Sequence, residues 1–309
     1  MGVFMEDTAN RRFLGLKEAK KGPYDLVILP IPLEMTVSWK EGTSNGPSSC
    51  IEVSSQVELF DPILNSEIPC GLSFHTAKQW SSEEDTLRKQ LDSIQEYIKP
   101  WINGMQFPLV LGGEHGILLP IIEVLSMHPE IDNLSEITII QIDAHADLRD
   151  TLNEERYSHG TVIRRCLDEG VGKVVQIGIR AYSEEESRII SHDDRIETWF
   201  ARDILGVMER STGWPRLLKR ISELEGPVWI TFDIDGLDGG LVPSTGTPVP
   251  GGLSYWAAIE LIERVFKSNK IKVIGADVNE IAPGMNNALT QFNAAMIATK
   301  IIACHISTL

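Results

Sequence analysis

Unbroken runs of aliphatic residues alternate along the chain with stretches whose apolar positions recur every three or four residues. The runs are DLVILPIP near 25–32, PLVLGG at 108–113, ITIIQID at 137–143, KVVQIGI at 173–179, VWITFDID at 228–235 and KVIGADV at 272–278. A strand wetted on one face alternates apolar and polar side chains, whereas a continuous Val/Ile/Leu run marks a strand buried on both faces of a parallel sheet. Between the runs, 87–102 sets Leu87, Leu91, Ile94, Ile98 and Ile102 along one helical stripe, and 255–266 and 289–306 repeat the pattern. Strands alternating with helices predict an α/β fold with helices on both faces of a mostly parallel sheet. No linker, low-complexity tract or short repeat interrupts 1–309, so one domain is expected, with 1–24 as an N-terminal extension able to supply an oligomer contact. Two Gly/Pro-rich segments, 39–49 and 235–254, follow strand runs and read as loops. Such loops at the carboxyl ends of parallel strands are where α/β folds place their sites.

The polar residues at those ends are unusual. The run ending at Ile142 delivers Asp143, His145 and Asp147 at every second position. The run 108–113 leads into Glu114 and His115, and VWITFDID ends in Asp233 and Asp235. Each piece alone has an ordinary reading: aspartates cap turns and helices, and a lone histidine is commonly a satisfied structural group. Packed side by side, however, the three ends crowd four aspartates and two histidines into one pocket, and four carboxylates cannot stay ionised there without compensating cations. The set is too large for one tetrahedral zinc and suits two metals sharing bridging carboxylates. Oxygen-rich ligation with some imidazole favours Mn²⁺, with Ni²⁺, Fe²⁺ or Zn²⁺ as alternatives.

Composition narrows the setting. The formal charge of −16 over 309 residues disfavours nucleic acid and anionic membranes as partners and attracts cations, although acidity also serves simple solubility. Four scattered cysteines without a C-x-x-C pair read as reduced thiols. The opening MGVFMEDTANRRF lacks an apolar secretory core, and no apolar run is long enough to span a bilayer, so a cytoplasmic protein is expected.

LGGEHG (111–116), DAHADLRD (143–150), YSHGT (157–161), QIGIR (176–180), TFDIDGLD (231–238), PSTGTPVPGG (243–252) and DVNEIAP (277–283) stand in the order of the ureohydrolase family of arginases and agmatinases, which the chain resembles over nearly its whole length. WKEGTSNGP (39–47) resembles the family's N-terminal segment, and the likeness is greatest to agmatinases. The resemblance implies a three-layer α/β/α sandwich on an eight-stranded sheet and a two-manganese site that hydrolyses a guanidino group to urea and an amine. It places His115 and Asp147 on one metal and His145 and Asp235 on the other, with Asp143 and Asp233 bridging. It also makes Asp147 an orienting partner of the attacking water, Glu280 the carboxylate that grips the guanidinium, and His159 a proton shuttle to the leaving amine. A trimer or hexamer is implied as well.

The tail of the substrate is less defined. In arginases the loop before the histidine is rich in Thr, Ser and Asn, which read a carboxylate; here it is LRDTLNEERYS (148–158), with Asp150, Glu154 and Glu155. Arginases carry an acid where Ser183 stands. Both departures favour a neutral or cationic tail, and Glu154 and Ser183 join Glu280 and His159 as expected substrate contacts. Agmatine, hydrolysed to putrescine and urea, fits best. Guanidinobutyrate, another short ω-guanidino compound or arginine is the alternative, with Arg149, Arg156 and Arg164 available for a carboxylate. A catalytically silent relative that only binds on this fold is the non-enzymatic alternative.

Overall fold

In the computed structural model the described residues are 12–18, 21–206, 210–284 and 286–309. Eight strands form one sheet: β1 (Leu26–Ile31), β2 (Phe74–Thr76), β3 (Phe107–Gly112), β4 (Thr138–Ile142), β5 (Lys173–Ile179), β6 (Ile196–Phe200), β7 (Gly226–Asp233) and β8 (Ile271–Asn279). Their spatial order is β2-β1-β3-β8-β7-β4-β5-β6. Every pairing is parallel. All six strands expected from aliphatic runs are present. The two that carry no such run, β2 and β6, are the sheet edges, where half-exposed residues such as His75 and Glu197 need no apolar pattern.

Nine helices are α1 (Gly46–Ser54), α2 (Leu87–Ile98), α3 (Leu118–Leu125), α4 (Val162–Asp168), α5 (Glu184–His192), α6 (Ala201–Leu205), α7 (Arg210–Ser222), α8 (Tyr255–Phe266) and α9 (Leu289–Ile306) among the described residues. Because strand side chains alternate faces, β1 sends Leu26 and Ile28 into one core, shared with residues of α1, α7, α8 and α9. It sends Val27, Leu29 and Ile31 into the other, shared with α2, α3 and α4. The three-layer sandwich follows. Segment 39–49 is a loop only in part: Gly46 begins α1, with Pro47 in the first turn, where the missing amide costs nothing. Helix α2 stops at Ile98, before Pro100, although Ile102 remains buried. In the expected extension 1–24, residues 1–11 and 19–20 lie outside the described residues, but Phe13 and Leu14 pack into the first core.

Two close approaches set the floor of the site. A Cβ on Gly113, just past β3, would lie 2.0 Å from the carbonyl oxygen of Leu33. One on Gly236, past β7, would lie 2.9 Å from the amide nitrogen of Asp143. Glycine is therefore required where these strand ends pass their neighbours. Replacing Gly113 with alanine should destabilise the fold by roughly 3 kcal/mol through backbone displacement. Urea denaturation would register this as a lowered midpoint, and an unchanged midpoint would show that the approach is looser than described.

Candidate metal centre and active site

The expected ligands project from the carboxyl ends of four strands that are adjacent in space, β3, β8, β7 and β4. His115 follows β3. Asp143, His145 and Asp147 follow β4, Asp233 closes β7 with Asp235 just beyond it, and Glu280 follows β8. Two groups converge there: His115 with Asp143 and Asp147, and Asp143 with His145 and Asp235. They share Asp143, and within each group the candidate ligand atoms lie within 4.8 Å of one another. His115 Nδ1 is 2.9 Å from Asp147 Oδ2, 3.2 Å from Asp143 Oδ2 and 3.8 Å from Asp233 Oδ2. His145 Nδ1 is 3.0 Å from Asp235 Oδ2 and 3.7 Å from Asp143 Oδ1. Asp147 and Glu280 both adopt left-handed backbone, with φ of 53° and 59°. Such conformations are costly for residues with a Cβ and persist where surrounding contacts enforce them.

A row of polar side chains supports this cluster from below. Thr198, Gln176, Gln141, Thr231 and Asp277 are register partners across five neighbouring strands. Thr198 donates to Gln176 Oε1 at 2.8 Å, and Gln176 donates to Gln141 Oε1 at 2.7 Å. Gln141 in turn donates to Asp143 Oδ2 at 2.8 Å. On the other side Asp277 accepts from Thr231 at 2.8 Å, from Trp229 at 2.6 Å and from Asn279 at 2.5 Å. The aliphatic runs do not single these residues out. Their alignment depends on register between distant segments, which no local pattern displays.

The hydrogen bonds around the cluster leave a place for metal. The Thr231 hydroxyl gives its proton to Asp277, so its oxygen accepts from His115 Nε2, 2.8 Å away. The other ring nitrogen, Nδ1, is buried and makes no hydrogen bond, although carboxylate oxygens crowd it. A lone pair and carboxylates converging on one point repel unless a cation sits between them. The donor set, five residues in two groups that share the Asp143 carboxylate, with Asp233 also near His115, fits two divalent cations. Without cations, protons take that place. Burial, aided by the charge of Asp143, pushes Asp147 up to about 7. Burial, with Glu114 next, pushes Glu280 up to about 8. Burial also raises Asp233 well above the carboxylate range, with Asp235 and Asp143 adding to it. For His145 burial acts downward, but Asp235 and Asp143 prevail and raise it to about 11. Burial opposes ionisation of Asp143, yet the neighbouring imidazoles of His115 and His145 hold it below its ordinary range.

Above the cluster opens a cavity of about 360 Å³, lined by Glu280, His159, Ser183, Glu186, Arg149 and Tyr182 together with most of the metal-ligand candidates. Glu280 Oε1 accepts the backbone N–H of His115 at 2.7 Å. Burial and the nearby imidazoles of His115 and His145 lower His159 to about 4, so its ring is neutral. Ser183 is the N-cap of α5 in a capping box with Glu186. That S-x-x-E spacing was the signal by which Glu186 could have been found. The Glu186 carboxylate accepts from Leu148 N at 3.1 Å and Ser183 N at 2.7 Å, and Arg149 Nε lies 3.7 Å from it. Glu154, expected as a substrate contact, sits exposed in a turn closed by Leu152 and Glu155 and does not line the cavity. Of the three arginines, only Arg149 reaches the cavity; Arg156 pairs with Asp150 and Asp168, and Arg164 with Asp150 and Glu185.

Known proteins are similar to this chain in sequence and in fold. The sequence profile of the Arginase family matches residues 24–304. An N(1)-aminopropylagmatine ureohydrolase from Synechocystis is 30% identical over 283 residues, covering 90% of this chain and 88% of that protein. An agmatinase from Bacillus anthracis is 32% identical over 261 residues, covering 84% of each. A crystal structure described as a hypothetical agmatinase from Burkholderia thailandensis superposes with a TM-score of 0.82 at 24% identity, covering 99% of this chain and 94% of that one. The chain belongs to the arginase family. It is a ureohydrolase that stands near the agmatinases within it.

The raised groups fix the sign of a pH effect. Asp147, Glu280 and His145 each bind their proton more tightly in the metal-free folded chain than in the unfolded one, so each withdraws stability as pH rises towards about 7, 8 and 11 respectively. Cations replace those protons. The melting temperature of chelator-treated protein should therefore fall between pH 5.5 and pH 8, and the gain on adding Mn²⁺ should be larger at pH 8. Equal gains at both pH values would mean that metal does not bind this cluster.

Proposed function

We propose that this arginase-family hydrolase acts on agmatine, releasing putrescine and urea with two Mn²⁺ ions bound. The observation that carries the reading is the pair of His/Asp groups sharing Asp143, facing a cavity beside Glu280. His115, Asp147, Asp143 and Asp233 would hold one ion, and His145, Asp235 and the same Asp143 and Asp233 the other. When bound, the two cations neutralise the carboxylates and bring a water to its reactive, deprotonated form near neutral pH.

The chain's own residues do the rest. Glu280 presents its second oxygen beside Gly246 and receives the guanidinium through charge-assisted hydrogen bonds. The arriving cation, with the metals, favours the ionised carboxylate despite its burial. Asp147 accepts a hydrogen bond from the attacking water and orients it. Water adds to the guanidino carbon, the carbon–nitrogen bond to the chain breaks, and the proton given up by the water ends on the departing amine. His159 lines the same cavity and carries that proton. The tail runs past Tyr182, Ser183 and Glu186, where an aromatic face and a buried carboxylate suit a cation. The acidic surface, at a formal charge of −16, draws such a dication in and repels nucleic acid.

The names of the relatives support a cationic tail, including one longer than that of agmatine. Arg149 favours a second reading, a carboxylate-tailed guanidine such as guanidinobutyrate, because it is the one arginine or lysine lining the cavity among the described residues. A homo-oligomer, trimer or hexamer, working in the cytoplasm completes the proposal; none of the described helices is long and apolar enough to cross a membrane.

Urea release should be measured for agmatine, N1-aminopropylagmatine, arginine and guanidinobutyrate with Mn²⁺-loaded protein. Turnover of a cationic guanidine with arginine inert is expected. Turnover of guanidinobutyrate alone would replace the substrate and point to Arg149. Glu280→Gln should cut kcat by about 10²–10³-fold while both metals remain; full activity in that variant would remove Glu280 from its role.

A further inference from the structure

We propose that Glu114 and Thr36 are positioning residues that hold His159 with its proton on Nδ1, so that the Nε2 lone pair is the atom offered to the cavity. Glu114, buried after β3, accepts the backbone N–H of Met35 at 2.6 Å and of Thr36 at 2.5 Å on Oε1. Its Oε2 accepts the Thr36 hydroxyl at 2.6 Å. Burial pushes Glu114 up, but the two backbone N–H groups can only donate to Oε1, and the Thr36 hydroxyl donates to Oε2, so we take the carboxylate as ionised. With its own proton spent on Glu114, the Thr36 oxygen can only accept. It accepts the backbone N–H of His159 at 3.2 Å and lies 3.0 Å from His159 Nδ1. An oxygen without a free proton facing a ring nitrogen requires that nitrogen to carry one. Thr36 is then saturated, with one proton given and two accepted. Nε2 of a neutral ring is left bare, and the ring lines the cavity.

The line Glu114–Thr36–His159 has the logic of a carboxylate that fixes a catalytic imidazole, with a hydroxyl interposed. The Glu114 charge also favours the imidazolium formed when Nε2 takes a proton. Adjacent residues thereby serve two ends: His115 faces the metal cluster, and Glu114 sets the group that moves the proton. The catalytic consequence rests on the role proposed above for His159; the tautomer does not.

The test is solid-state ¹⁵N NMR of ¹⁵N-histidine-labelled holoprotein carrying diamagnetic Mg²⁺, with His159 identified by comparison with His159→Gln. Protonated Nδ1 and bare Nε2 are expected. In Glu114→Gln the amide oxygen keeps the two backbone donors, so the –NH₂ faces Thr36. The hydroxyl must then donate to His159, and the tautomer should invert. Turnover should fall about 10²–10⁴-fold, as for a wrong tautomer elsewhere, with KM changed less and metal content unchanged. Thr36→Val should lose the preference, and Thr36→Ser should restore both tautomer and rate. A proton on Nε2 in the parent protein would overturn the proposal. So would an unchanged tautomer in both Glu114→Gln and Thr36→Val. A parent protein with the expected tautomer that releases urea from no guanidine would sink the function above and leave the tautomer assignment standing.

Discussion

Everything at the centre of this protein answers to one electrostatic constraint. Four aspartates and two histidines are brought together, nearly all buried, at the carboxyl ends of β3, β4 and β7. In a medium that solvates charge poorly, carboxylates at such separations raise one another's proton affinity until something positive joins them. Protons can do this, as the upward shifts of Asp147 and Asp233 show, but they leave the groups inert. Divalent cations do it while keeping the ligands ionised.

The rest of the sheet is arranged to hold that cluster still. The polar row from Thr198 to Asp277 crosses five strands inside an otherwise aliphatic sheet and is hydrogen-bonded in two groups, Thr198–Gln176–Gln141–Asp143 and His115–Thr231–Asp277. Such a network is worth having only if it is satisfied, since an unpaired amide there would cost more than an apolar residue. It fixes Asp143 from one side and His115 from the other. The glycines at 113 and 236 let the strand ends pass closely enough for both to reach one point. Stability and function are thereby tied to the same few contacts, and the strained backbone at Asp147 and Glu280 sits where those contacts can enforce it.

Much of this was legible in the sequence for a physical reason. Strands buried on both faces must be continuously apolar, so the six inner ones announced themselves, and ligands at alternate positions past a strand end share a face. Edge strands β2 and β6 obey no such rule and were not seen. The Gln141–Gln176 contact was invisible because it depends on register between segments 35 residues apart. Glu186 was hidden differently: its spacing from Ser183 marks a helix cap, and only the fold turns that cap towards the cavity. Glu154 misled in the opposite direction. It lies in the loop between two site segments, yet its turn points to solvent. Nearness in sequence to a site carries little information about which way a turn faces.

Two cations, not one and not protons alone, are proposed to complete the cluster. Crystals grown with Mn²⁺ and measured at its absorption edge give the direct answer through anomalous difference density. Two peaks flanking the Asp143 carboxylate, about 3.5–4 Å apart, with His115 beside one and His145 beside the other, are the expected result. A single peak, or none with manganese present at saturating concentration, would contradict it.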